Sequence, residues 1–259
     1  MTQMVSSKSY KNEREFIIKH TLRGVRGVAI AIAIILGWSI NLGICLSLHL
    51  EENSPIYIGV AIIIQAFLCT GLFITAHDAM HQSIAPQSRK MNDQIGKLTV
   101  FLYLFFSYEK LVKNHWHHHR HPASELDPDF HDGKHSHPIM WYFSFIQRYF
   151  SWVQVAGIVI VFTYAKFIAH IPAANLFLFW LLPAILSSLQ LFYFGTYLPH
   201  RELPEGYPTS HRTRSNSLST LWSFLTCYHF GYHEEHHEYP SIPWWQLPAI
   251  RKIRVNAIA

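Results

Sequence analysis

The sequence predicts an all-α integral membrane protein, with about four transmembrane helices, short re-entrant or interfacial helices, and a cytoplasmic histidine-box cap. Three observations carry this. Half of the 259 residues are hydrophobic and only 14% are charged, against roughly 25% charged in an average soluble protein. Uncharged runs of about 20 residues recur, the length a helix needs to cross a bilayer core. The chain also holds 19 histidines, most of them in three clusters beside the ends of those runs.

In chain order, residues 1–26 are polar and carry Lys8, Lys11, Arg14, Lys19, Arg23 and Arg26 against Glu13 and Glu15. This is too long and too charged for the start of a secretory signal, so it reads as a cytoplasmic N-terminal tail. Residues 27–259 then form a single membrane-embedded domain. The first span is the uncharged run from Gly27 to Leu48, and a link with Glu51 and Glu52 follows. The second span runs from Pro55 to Thr75 and leads directly into His77. A third, shorter run covers Ser151 to Ala165. The fourth, Leu176 to Leu198, contains Pro183, which a membrane helix tolerates as a kink. Leu98 to Phe106 and Leu218 to Tyr228 are too short to cross and read as re-entrant or interfacial.

Four crossings put the tail, residues 77–148 and everything from His200 onward on one side. Arg89, Lys90, Lys97, Lys110, Lys113, Arg120, Arg251, Lys252 and Arg254 gather there, as expected of a cytoplasmic face. The link at Lys166 to Asn175 falls outside. The net charge of +5 is distributed in these short flanks and forms no nucleic-acid-binding stripe. Cys45, Cys69 and Cys227 lie in apolar runs without CxxC spacing, which argues against a disulfide framework or a thiolate zinc site.

The histidine clusters are His77-Asp-Ala-Met-His81, His115-Trp-His-His-His-Arg-His121 and His229-Phe-Gly-Tyr-His-Glu-Glu-His-His237. Residues at i, i+3 and i+4 share a helix face. His77 and His81 are so spaced, as are His115, His118 and His119, and His233, His236 and His237. His200 ends the fourth run on the same side and adds one more imidazole. These nine are the candidate metal ligands. Imidazole suits zinc, copper, iron and nickel, but a zinc site takes only four ligands. So many imidazoles fit two metals, and two irons held almost wholly by histidine is the natural reading. His117 and His121 are out of phase with the second box and read as residues behind its ligand face or at the surface, His121 being a candidate hydrogen-bond partner or further ligand. His229, four residues before His233, stands either in the ligand face or beside it. Asp78, Glu234 and Glu235 lie within boxes on other faces and are candidate hydrogen-bond partners for ligating imidazoles. Asp127 and Asp129 read as turn residues beside Pro128, and His131 as a solvated or interfacial residue. Tyr193, Phe194 and Trp222 are candidate linings of a substrate tunnel.

Longer stretches carry a resemblance. Gly71 to His81 (Gly-Leu-Phe-Ile-Thr-Ala-His-Asp-Ala-Met-His), Asn114 to Pro122, Leu126 to Asp129, Leu191 to His200 and Cys227 to Pro240, followed by Pro243-Trp-Trp, resemble the bacterial-type β-carotene ketolases. These enzymes, also called β-carotene 4-oxygenases, form a branch of the membrane fatty-acid desaturase and hydroxylase superfamily. The resemblance runs from about residue 56 to 250; residues 1–26 carry none of it.

It implies two iron ions, O2 and an external electron donor such as ferredoxin. It implies oxidation of the C4 methylene of a carotenoid β-ionone ring to a ketone by two successive hydroxylations and loss of water, taking β-carotene to echinenone and canthaxanthin. The substrate would come from the bilayer, in a cytoplasmic or thylakoid membrane, with the histidine boxes facing the cytoplasm. Carotenoid hydroxylase and acyl-lipid desaturase are the alternatives inside the superfamily. A metal transporter is the alternative outside it, though transporters place polar ligands near mid-membrane rather than at span ends.

Overall fold

The computed structural model describes residues 24–258 apart from 203 and 208. The tail read at 1–26 therefore lies, up to residue 23, outside the described residues. Among the described residues all regular structure is helical. Helices α1 (Gly24–Leu46) and α2 (Pro55–Met80) are the first two apolar runs. Ser54 starts α2 by accepting a hydrogen bond from the Tyr57 N–H, and Pro55 occupies its first turn, where no N–H is needed. α2 runs five residues past the expected end, so His77 sits on the helix and His81 caps it.

Helices α3 (Arg89–Leu104) and α4 (Tyr108–Arg120) follow, each opened by a serine cap, Ser88 and Ser107. The short run Leu98 to Phe106 is the apolar second half of α3. Helix α5 (Pro138–Tyr149) meets α6 (Trp152–Phe167) at 85°. The third expected span is thus one arm of a bent pair. Helix α7 (Ala173–His200) is the fourth. The last three helices are short: α8 (Thr220–Cys227), α9 (His233–Glu238) and α10 (Leu247–Ile258). Among the described residues three helices, α1, α2 and α7, are long and apolar enough to cross a membrane, and the bent pair is a fourth candidate.

α7 contains two π-helical turns, Phe177–Leu181 and Tyr193–Tyr197. Each directly precedes a proline-bearing turn, with Pro183 and Pro199. Proline brings no N–H to the carbonyl four residues back, and the wider i→i+5 winding accommodates that loss. A kink is the expectation at Pro183; the structure shows a π turn ahead of each proline, the second leading into the helix end that carries His200.

The outer faces are apolar. Ile32, Leu36, Ile40 and Ile44 form an exposed stripe along α1, and Val153, Ile160, Tyr164 and Phe167 do the same on α6. Such faces suit a lipid environment. Inside, α2 packs against α1, α3 and α7, with Trp38, Leu72, Ile74, Tyr103, Trp180 and Leu191 in one core. Polar ties fix its register. The Thr70 hydroxyl contacts Ser187 at 2.9 Å and Gln190 at 2.7 Å, and the Tyr103 hydroxyl donates to the Ala184 carbonyl at 3.1 Å. The Asn175 amide donates to the carbonyls of Cys45, Leu46 and Leu48 at the end of α1, filling acceptors that a helix C-terminus leaves open.

The loop between α2 and α3 is clamped against α1 at Gly27. A Cβ there would lie 2.2 Å from the backbone oxygen of Ile84, itself fully buried. Backbone cannot swing aside as a side-chain tip can. Gly27→Ala is therefore expected to destabilise the protein by about 1–3 kcal/mol, the usual cost of overpacking, and to disturb His81 in the same loop. Thermal inactivation of the detergent-solubilised variant well below the wild-type temperature checks this; an unchanged midpoint contradicts it.

Candidate metal centre

The three boxes and His200 converge at the end where α2 and α7 finish. Helical phase divides them into two lobes. On α9, His233 and His237 are one turn apart and point the same way, while His236 points about 100° off His237. On α4, His115 and His119 are one turn apart and His118 diverges. The structure accordingly gathers His77, His81, His115 and His236 in one group, and His118, His200, His233 and His237 in another. Within each group the potential ligand nitrogens all lie within 4.8 Å of one another, and all eight residues are buried. His119 lies on the seam. Its Nε2 is 3.1 Å from that of His115 and 3.0 Å from that of His236, so it belongs with the first lobe.

The donor set fits cations. In the first lobe the Nε2 atoms of His81 and His115 are 2.6 Å apart; in the second, that of His237 is 3.0 Å from His118 and 3.2 Å from His233. Two unprotonated Nε2 lone pairs repel at such distances unless a positive charge sits between them. The Nε2 atoms of His77 and His200 are buried and have no hydrogen-bond partner, although the opposite nitrogen of each ring is anchored. His77 Nδ1 meets Asp78 at 3.2 Å, and His200 Nδ1 donates to the Arg212 carbonyl at 3.0 Å. A ring tied at Nδ1 presents Nε2 as a lone pair, the usual arrangement of a metal-bound histidine. Burial, reinforced by neighbouring imidazoles, also pushes His81, His115, His119, His233, His236 and His237 well below the usual histidine pKa. They are held in the neutral form that binds metal.

His118 is the exception. Burial is the largest single influence and lowers its pKa, but the charge and hydrogen bond of Asp127 together with the charge of Asp129 outweigh it, and the net direction is upward. Its Nδ1 lies 2.9 Å from Asp127 Oδ2 and 3.0 Å from Oδ1. Asp127 therefore does more than the turn chemistry expected of it. It accepts the N–H groups of Ala123 and Asp129, at 2.9 and 2.8 Å, and orients a ring of the second lobe with the same two oxygens. Arg148 on α5 holds the Asp127 loop by donating to the carbonyls of Pro128 and Phe130. Asp78 likewise holds His77, and it is fixed in turn by the Trp244 N–H at 2.8 Å. The Pro243-Trp-Trp segment thus braces the first box.

Several sequence expectations need correction. Glu234 and Glu235 contact no imidazole of the cluster. They face away from the lobes and tie α9 to α10: Glu235 is fully buried against Arg251 (2.9 Å) and Ser215, and Glu234 pairs with Arg254 (3.0 Å). A six-residue helix has little stability of its own, so these ties hold its three imidazoles in place. His229 lies outside both lobes. The chain turns through left-handed conformations at Tyr228 and His229, so His229 precedes α9 and its ring stacks on Tyr232 instead. His117 and His121 are exposed at the end of α4. His131 is buried beside Phe130 and Trp141, not solvated.

A mostly apolar cavity of about 80 Å³ abuts both lobes. His77, His115, His118 and His233 form its floor, and Phe73, Tyr103, Phe106, Leu191 and Phe230 contribute walls. Tyr193, Phe194 and Trp222 are not among its lining. Tyr193 and Trp222 are exposed on the outer surface, and Phe194 packs against the core below. The lining comes instead from the other face of the same π turn, Gly195 and Thr196. A Cβ on Gly195 would meet the Phe230 ring at 2.1 Å. Glycine there lets Phe230 sit edge-on to both His77 and His233.

Known proteins similar to this chain agree with one another. A family model described as fatty acid desaturase matches residues 53–160 and 137–258. A β-carotene ketolase of Paracoccus sp. (strain PC1) is 46% identical over 188 residues, covering 72% of this chain and 76% of that protein. A β-carotene ketolase of Haematococcus lacustris is 42% identical over 210 residues, covering 78% and 64% respectively. A zeaxanthin 4-ketolase of Chlamydomonas reinhardtii is 38% identical over 266 residues, covering 97% of this chain and 59% of that protein.

Proposed function

Since this chain is an enzyme belonging to the fatty acid desaturase family, in its ketolase branch, we propose that it converts the C4 methylene of a carotenoid β-ionone ring to a ketone at a di-iron centre. The observation that carries this reading is the pair of buried histidine lobes facing one apolar cavity. His77, His81, His115, His119 and His236 would hold one iron, and His118, His200, His233 and His237 the other. When bound, the irons supply the reduction of O2 and the oxidation of the C–H bond. Zinc would fit the donor atoms but has no redox chemistry.

The protein's own contribution is geometry and exclusion. Asp78, Asp127 and the Arg212 carbonyl fix ring orientation. The apolar walls favour a hydrocarbon ring over water. Imidazoles of both lobes line the cavity, so a methylene seated there is within reach of either. Two hydroxylations at one carbon give a geminal diol, and loss of water gives the ketone. The relatives named for β-carotene and for zeaxanthin support a β-ring carotenoid, plain or hydroxylated, as substrate.

The lobes sit at the ends of α2 and α7 from which the basic segment 89–120 also departs, while Glu51 and Glu52 lie in the link at the other end of α2. That asymmetry supports a cytoplasmic histidine cap, with α3 and α8 as interfacial pieces beside it. Expression in a host that accumulates β-carotene tests the reading. Echinenone and canthaxanthin, identified by chromatography and mass, are expected. Hydroxylated carotenoids would transfer the protein to the hydroxylase alternative, and unchanged β-carotene with iron-loaded protein present would contradict the substrate.

A further inference from the structure

This inference rests on the oxygenase reading. Each hydroxylation breaks one C–H bond and forms one C–O bond. O2 takes up four electrons: two come from the C–H bond and two from outside. With two protons from solvent, the second oxygen atom leaves as water. A reductant must therefore deliver electrons to a centre whose eight core imidazoles are buried.

Trp116 connects that centre to the surface. It follows His115 on α4 and is half-buried. Its ring lies edge-on to His81 at 5.1 Å and 5.8 Å from His119, both imidazoles of the first lobe. It also lines an open groove of about 510 Å³ that runs between α3, α4 and the end of α2, with Arg89, Lys97 and Lys113 and the carboxylates Asp93 and Glu109 at its sides.

Lys113 is the unmatched charge of the lining itself, and the segment that forms the groove adds an excess of the same sign around it. Residues 89–120 carry six basic side chains against two carboxylates. Both carboxylates are already matched within the protein: Glu109 pairs with Lys97 at 2.7 Å and Asp93 with Arg89 at 3.8 Å. Lys90, Lys110, Lys113 and Arg120 remain exposed. A surface of this kind accelerates encounter with an oppositely charged protein and sets its orientation.

We propose that the groove between α3 and α4 docks an acidic one-electron carrier protein, and that Trp116 passes its electrons to the first histidine lobe. The test uses the full chain in nanodiscs loaded with β-carotene. Ketone formation is driven either by a reduced plant-type [2Fe–2S] ferredoxin or by dithionite, which needs no docking. In the Lys110→Glu/Lys113→Glu variant the ratio of ferredoxin-driven to dithionite-driven rate is expected to fall about tenfold at low ionic strength, and to recover toward wild type as salt screens the contact. In Trp116→Leu the same ratio is expected to fall at every salt concentration, with iron content measured alongside. Ratios equal to wild type in both variants would overturn the docking surface while leaving the oxygenase intact. A wild-type protein that forms no ketone with dithionite would overturn the oxygenase reading itself.

Discussion

Replacing His236 by Ala is expected to abolish ketone formation together with at least one iron, and His118→Ala to do the same from the other lobe. Each side chain is buried and belongs to a four-histidine group. Its removal takes one imidazole out of a closed set; Asp78, the carboxylate beside the first lobe, is already engaged by His77 and the Trp244 N–H. Truncating a ligand weakens the site for every remaining one, because metal affinity is a property of the set. Iron content by mass spectrometry and pigment analysis on the same preparation check this. Full activity in either variant contradicts the ligand set. His131→Ala is the control. His131 packs against Phe130 and Trp141, outside both lobes, so stability is expected to fall modestly while iron per folded chain stays unchanged.

Asp127→Asn should give the second largest effect, by another route. The amide keeps one oxygen, so it can accept only one of the two turn N–H groups that the carboxylate takes on separate oxygens, and it loses the charge that holds the His118 ring. Partners of this kind typically contribute 10–100-fold in metal affinity. The variant is therefore expected to fold with a stability lowered by about 1–3 kcal/mol, the cost of one buried N–H left without its acceptor, to be purified poor in iron, and to regain much of its activity when iron is supplied in excess. Loss of activity that added iron does not restore, in protein with a full iron complement, would show that Asp127 acts in some other way.

What was legible in the sequence was what local periodicity encodes. Uncharged length marked the spans, and i, i+3, i+4 spacing marked the three boxes as helical faces. The resemblance around boxes one and three points to the ketolase branch, and the relatives agree with it. What was not legible came from contacts made at a distance. The second role of Asp127 depends on a loop folding back over α4, and a turn aspartate with that role looks the same locally as one without it. Glu234 and Glu235 lie between ligands in sequence, yet the short α9 needs its outer face tied to α10, and that docking was unreadable from the box alone. His229 has the right spacing from His233, but spacing means nothing once the helix begins at His233. Tyr193 and Phe194 belong to the same π turn as the residues that line the cavity. The π turn there shifts the helical phase, so Gly195 and Thr196 face the cavity instead.

The central claim is that the two lobes hold two irons for oxidation of the carotenoid ring. Metal analysis of purified, active protein tests it most directly. Two irons per chain are expected, one for each histidine group, with ketone formation rising in proportion to iron bound. A protein that carries a single metal ion or zinc, and still produces the ketone at full rate, would contradict it.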